Sequence, residues 1–281
     1  SDLLRVNFES ICSRAFRTDQ LRRAETGDRL PVWRDLEGLR DKTALEYHFN
    51  RLAGFDQGMR VLRIAGAESD IDQPSSWQSR FYEETLRGRV NCGGGTLDDA
   101  HFSICLEKLN EQRSEIIYSD SSMLALFATW LRNSFRQWHK PRLIIAAGDA
   151  FSHEHRRIVE DTFECVVTAH YGSRDIGIIG SECPEGGRLH IHPWASYVAL
   201  LPAGQSPAGP LYRLVITDLL NFGMPLIHYD TTDCVLYDES PCACGSWYPS
   251  VTAVLGRAAD SSGGKPSSNA PCAAARPAPA A

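Results

Sequence analysis

The sequence predicts an α/β fold: a mostly parallel sheet covered by helices, followed by a smaller β-rich subdomain. Three observations lead there. Helical and strand patterns alternate through the first two thirds of the chain, as in strand–helix–strand units. From about Leu189 onward the patterns are strands only. The composition, 43% hydrophobic and 23% charged over 281 residues, is that of a globular chain long enough for a large domain with a subdomain. The expected divisions are an α/β region over residues 1–188, a β-rich subdomain over 189–260, and a tail over 261–281.

The elements follow in order. "DLEGLRDKTALEYHFNRLAGFD" sets Leu36, Leu39, Leu45, Phe49 and Leu52 at helical spacing, and "MRVLRIAG" then reads as a strand. "DDAHFSICLEKLNEQ" offers Asp98 or Asp99 as a cap, with Phe102, Cys105, Leu106 and Leu109 on one face. "SSMLALFATWLRNSF" predicts a second amphipathic helix with Met123, Phe127, Trp130, Leu131 and Phe135 inward. A buried strand "RLIIAAG", a charged helix "HEHRRIVEDTF" and the strand "CVVTA" come next. The β-rich part reads as "RLHIHPWASYVALL", "YRLVITDLL", "PLIHYD" and "CVLYD". The stretch from Ser261 to Ala281 is almost wholly Ser, Gly, Pro and Ala, so nothing in it repays ordering by burial and a disordered tail is expected.

A net charge of −6 argues against nucleic acid or an anionic membrane as partner. No run of about 18 apolar residues marks a membrane span, and "SDLLRVNFESICSRAF" lacks the basic-then-apolar pattern of a signal peptide, so a cytoplasmic chain is expected. The nine cysteines are then better explained by metal binding or burial than by a disulfide framework. Cys92 and Cys105 read as packing residues, and Gly93–Gly95 as a flexible loop.

Parallel sheets bind ligands at the C-terminal ends of their strands. Two polar strand ends, "AAGDAF" and "AHYGSRD", fall on one rim. In the second, Tyr171 could stack a base, Gly172 admits close backbone approach, and Asp175 could hold a hard cation. Taken alone, these generic residues favour an ordinary turn with a packed Tyr and a solvated Arg–Asp pair.

"YGSRDIGIIGSEC", "GRLHI", "LVITDLLNFGMPLIHYDTTD", "CACG" and "GRAAD" occur in this order, preceded by "IIYSDSSMLALFATWL" and "RLIIAAGDAFSHEHRRIVEDTF". Together they resemble the phenylacetate–CoA ligase family and its capsule-biosynthesis-like relatives, within the adenylate-forming superfamily. The resemblance covers roughly residues 100–260. It implies the large domain of an adenylate-forming enzyme. Such an enzyme activates an aromatic or other carboxylic acid with ATP and Mg²⁺ and passes the acyl group to coenzyme A. A homodimer is a further expectation. Carried across by position, Tyr171 stacks on adenine between His170 and Gly172, and Ser173 and Arg174 lie beside the phosphates. Asp175 takes the place of the family's magnesium-binding Glu. Gly148 and Asp149 match a Gly-Glu step beside the nucleotide, Asp233 matches the acid that grips the ribose, and Arg257 matches a ribose-contacting Arg.

Some positions depart from the family pattern. "ETGDRLPVW" keeps Thr26, Gly27 and Pro31 of the phosphate loop but lacks its hydroxyl-rich middle and adds Asp28, which would repel phosphate. His228 and Asp230 stand where the family favours a basic residue and a less acidic loop, and the tail stands where the family has a lid domain bearing a catalytic lysine. A truncated ligase with impaired adenylation is therefore expected, and a non-catalytic nucleotide-binding pseudoenzyme is the alternative. The resemblance also implies a structural zinc. The "PCACG" turn supplies Cys242 and Cys244, and the family pattern places a Cys and a His at Cys183 and His190. His192, two residues on along the same strand face, is the alternative ligand. Without the resemblance, a core cysteine at Cys183 and a plain turn at the C-x-C explain these residues equally well.

Overall fold

A computed structural model describes residues 36–65, 83–84, 88–93, 98–148, 151–173, 175–185 and 187–257. Asp28 and its phosphate-loop neighbours, Asp149, Arg174, the side chain of Arg257 and the tail from 261 lie outside the described residues. The chain divides into two compact units, His48–Tyr171 and a second built from the chain on either side of it.

The His48–Tyr171 unit carries five parallel strands: β1 (Val61–Ala65), β2 (Arg89–Gly93), β3 (Ile116–Asp120), β4 (Leu143–Ala147) and β5 (Val166–Ser173), whose last two residues pass into the other unit. Their order is β2-β1-β3-β4-β5. Four of the five residues of β4, "LIIA" of "LIIAA", are buried, which is how a strand covered on both faces reads. Three helices bring their apolar stripes to one core: α2 (Asp99–Gln112), α3 (Ser121–Ser134) and α4 (His153–Phe163), following α1 (Leu36–Leu52) at the start of the described chain. Phe102, Phe127 and Phe163 meet there with ring centroids 5.7 and 6.3 Å apart. The cap of α2 is Asp98, whose carboxylate accepts from the His101 amide at 2.9 Å. The face expected on α2 is the buried one, with His101 added to it.

Three expectations change. Phe135 is not inward: it is the first residue past α3, its φ of 53° turns the chain aside, and the ring is 96% exposed. In α1, Leu39 and Leu52 are exposed while Gly38, Lys42, Phe49 and Asn50 are buried. A buried ion pair between Lys42 and Asp218, and not the leucine spacing, sets the buried face. Cys92 and Cys105 are more than packing residues, because they are paired as a disulfide with Cα atoms 5.7 Å apart.

The other unit contains two antiparallel sets of strands. One is β6 (Gly177–Glu182), β7 (Leu189–Ile191) and β11 (Ser250–Val251), with β7 in the middle. The other is β8 (Ser196–Ser206), β9 (Gly209–Asp218), β10 (Tyr229–Leu236) and β12 (Ala253–Arg257), in the order β12-β10-β9-β8. Of the expected strands, only Tyr229 and Asp230 of "PLIHYD" and Cys234–Leu236 of "CVLYD" are extended, and they lie in one strand, β10, with an irregularity between Asp230 and Cys234. Side chains hold that bulge: Asp230 accepts from the Thr232 amide at 3.0 Å and the Thr231 hydroxyl from the Asp233 amide at 3.1 Å. No described helix is long and apolar enough to cross a membrane.

Candidate nucleotide site and cysteine knuckle

In the parallel sheet, β4 and β5 end side by side, so Gly148 and His170 come to the same rim. Gly148 has φ 90°, and a Cβ there would lie 2.5 Å from a carboxylate oxygen of Asp120 at the end of β3. Only glycine allows that approach. The expected strand-end turn starts later than the sequence suggests, because β5 runs on through Ser173. His170 is accordingly inside a strand, buried, and neither ring nitrogen has a hydrogen-bond partner among the described residues. Burial pushes its pKa down to about 4, so the imidazole is neutral at physiological pH. Tyr118 meets it edge-on, with ring centroids 6.4 Å apart. Tyr171 is 8% exposed.

Beyond Tyr171 the chain passes into the other unit, and the turn from Ser173 to Gly177 is fixed from several sides. A Cβ on Gly172 would collide with the carbonyl of Gly177. The Ser173 hydroxyl accepts from the Ile176 amide at 3.1 Å. The carboxylate of Asp175 accepts from the Tyr229 hydroxyl at 2.9 Å. Below it, the Lys42 ammonium donates to the Ile176 carbonyl at 2.5 Å and to Asp218. Asp218 also accepts from the amides of Leu220 and Asn221, at 3.0 and 3.3 Å. One buried cation therefore ties α1, the Asp175 turn and the end of β9 together. Lys42, Asp218 and Tyr229 were missed by sequence reasoning. The available signal was a lysine among the leucines of α1.

Asp233 on β10 and Arg257 on β12 are direct cross-strand partners. The two positions matched to ribose contacts therefore sit opposite each other. The acidity of "HYDTTD" is partly cancelled, because Asp230 pairs with Arg213 at 3.2 Å.

Cys183, His190, Cys242 and Cys244 come together, each offering one donor atom and all four atoms within 4.8 Å of one another. His190 sits in the central strand β7, between Ser181 of β6 and Ser250 of β11. Cys242 and Cys244 flank a tight turn closed by the Gly245 amide on the Cys242 carbonyl at 3.0 Å. The Cys244 sulfur lies 3.4 Å from Nε2 of His190. His192 is outside this cluster, packed on Trp194 and Tyr248 with centroids 4.6 and 5.7 Å away. Burial raises the Cys242 thiol. Hydrogen bonds from Cys244 and Cys183 and the Arg188 charge outweigh it, so the thiol lies below its ordinary value. His190 is shifted down, chiefly by burial, which favours the neutral ring. A Cys₃His set with this proton inventory is chemically suited to a closed tetrahedral zinc site. Arg188 braces the knuckle from outside, donating to Asp238 at 2.9 Å and to Ser250 at 3.0 Å. The Arg188 guanidinium, followed by the Ser240 amide and the Thr252 hydroxyl, holds the Asp238 carboxyl well below the usual range.

No protein-family model matches the chain, and no curated protein matches it. Solved structures do. A 2-hydroxyisobutyryl-CoA ligase in the postadenylation state, in complex with R3-HIB-AMP, matches with TM-score 0.62 and 15% identity, over 78% of this chain and 48% of that one. The chain shares the fold of the matched part of that ligase. The open form of the same ligase with 2-HIB-AMP and CoA matches with TM-score 0.59 and 15% identity, over 78% of this chain and 50% of that one. Its thioesterification state gives TM-score 0.56 and 16% identity, over 77% and 48%. The chain thus spans about half the length of the ligases it matches.

Proposed function

We propose that the protein belongs to an AMP-forming ligase activity: a carboxylic acid is adenylated with Mg-ATP and the acyl group is passed to coenzyme A. The observation that carries this reading is the end of β5 and the turn that follows it. There Tyr171, Gly172 and Ser173 are followed by Asp175, whose carboxylate is held by Tyr229, in a chain with an acyl-CoA ligase fold. In the reaction, a substrate carboxylate oxygen attacks the α-phosphorus of ATP and pyrophosphate leaves. The coenzyme A thiolate then attacks the acyl carbon and AMP leaves.

The chain's part is placement and charge neutralisation. Tyr171, between His170 and Gly172, would face adenine, with Gly148 and Asp149 beside it. Asp233 and Arg257 would hold the ribose, and Ser173 and Arg174 the phosphates. Asp175 would hold Mg²⁺, an ion that needs only one or two protein carboxylates beside the phosphates. Cys183, His190, Cys242 and Cys244 would hold a structural zinc, fastening the C-x-C turn to the β7 sheet. The motif resemblance makes an aryl-acetic acid the first substrate to test.

Pyrophosphate release should be measured with Mg-ATP over a panel of aromatic, hydroxylated and aliphatic acids, in the wild type and in Asp175→Asn. Acid-dependent release that is lost in the variant supports the ligase. Nucleotide binding without release for any acid overturns it in favour of a non-catalytic nucleotide-binding protein.

A further inference from the structure

Far along the chain from the knuckle, a second group of metal-type donors is buried in the His48–Tyr171 unit. Cys92, His101 and Cys105 each present one donor atom, all within 4.8 Å of one another. They are 2%, 7% and 0% exposed. His101 and Cys105 are four residues apart on α2, hence on one helical face, and Cys92 arrives from the neighbouring strand β2. Nε2 of His101 lies 3.6 Å from the Cys105 sulfur.

The two cysteines are joined in a disulfide, yet the join is redundant as a staple. Val90 and Cys92 of β2 already share a core with Phe102, Leu106 and Leu109 of α2, and Lys108 reaches back to the Asn91 carbonyl at 2.8 Å. A purely structural disulfide also has no use for an imidazole set against its sulfur. Two thiolates and one imidazole are the donors a thiophilic, borderline-soft divalent ion prefers, and three protein ligands leave one tetrahedral position over.

We propose that Cys92, His101 and Cys105 form a redox-gated metal site that takes Zn²⁺ when the two cysteines are reduced. The chemistry balances with a dithiol reductant. Its two thiols deliver two electrons and two protons to the Cys92–Cys105 bond and close into their own disulfide, leaving two cysteine thiols. Zn²⁺ then binds both sulfurs and Nε2, and the two thiol protons are released to solvent. Oxidation by a small-molecule disulfide expels the ion and restores the bond. The knuckle is unaffected, since Cys183, Cys242 and Cys244 are not joined in disulfides in this same state. Cys165 does not compete, because burial, with Glu160 adding to it, pushes its thiol up to about 12.

The test compares metal content in two preparations of the full chain equilibrated with Zn²⁺ and dialysed. One is disulfide-containing, verified by mass mapping of the linked peptides, and the other is reduced with a dithiol. The reduced protein should carry one more ion per chain, and Co²⁺ in its place should give a thiolate charge-transfer band absent from the oxidised sample. His101→Ala, which leaves both cysteines in place, should lose the added ion while keeping its far-ultraviolet circular dichroism. If that variant does not fold, His101→Gln serves, with the same loss expected. Equal metal content in the two states overturns the proposal. So does a bond that resists the dithiol in the folded chain, or an added ion that survives removal of the imidazole.

Discussion

At the scale of single residues, His170 shows how a side chain can be tuned by what does not touch it. Its ring has no hydrogen-bond partner among the described residues, and burial alone holds its pKa near 4, against 6.5 for an ordinary histidine. The unfolded chain therefore takes up a proton between pH 6.5 and 4 that the folded chain refuses, so this group's contribution is present at neutral pH and is lost as pH falls through that window. The shift corresponds to roughly 3 kcal/mol between pH 7 and pH 4. His170→Phe keeps a ring and removes the titration. Urea unfolding at pH 7 and at pH 4 should show the wild type losing more stability than the variant by about that amount. Equal losses would mean that the imidazole is solvated in the folded state.

At the scale of elements, two ties decide whether the β-rich unit holds its shape. The first is Lys42. Replacing it by Met leaves the Asp218 carboxylate buried without its cation, which typically costs about 3–5 kcal/mol. Removing Glu160 from its partly exposed pair with Arg156 should cost under about 1 kcal/mol. Denaturant midpoints of the two variants check this, and similar midpoints would show that the Lys42–Asp218 pair contributes no more than a partly exposed one. The second tie is the knuckle. With the proposed zinc in the knuckle, Cys244→Ser should lower the zinc content by one ion per chain and lower the melting temperature. An unchanged zinc content would place the metal elsewhere.

These elements also mark what was legible in the sequence. The buried face of α2 was readable because Phe102, Cys105, Leu106 and Leu109 follow the helical period. The meeting of Cys183 and His190 with the C-x-C turn was implied by the family resemblance and not by these residues alone. The buried face of α1 was not readable, because it answers to a carboxylate 176 residues away. Strands β2 and β3 escaped notice for different reasons. "RVNCG" is short and only alternately buried, and "IIYSD" passes into α3 with no residue between them. The Cys92–Cys105 pairing was hidden because nothing local links a strand cysteine to one in the middle of a helix.

At the scale of the whole molecule, the proposed activity divides the nucleotide into two halves that can be probed separately. Asp175 would act only through Mg²⁺ and the phosphates, whereas Asp233 and Arg257 would act only on the ribose. Asp175→Asn should weaken Mg-ATP about 10-fold or more, equivalent to about 1.4 kcal/mol, and leave AMP unchanged. Calorimetry with each ligand distinguishes them, and an equal loss for both would remove Asp175 from the metal. The position of Lys42 in the chain has one more consequence, for synthesis. The His48–Tyr171 unit is continuous and can fold as soon as it leaves the ribosome. Lys42 precedes it, yet its partner Asp218 is translated 176 residues later. Between completion of that unit at Tyr171 and synthesis of Asp218, the start of α1 waits for the carboxylate that Lys42 will meet. The nascent chain acquires this contact only after the His48–Tyr171 unit is complete, so a chaperone that shields α1 during elongation would raise the yield of folded protein.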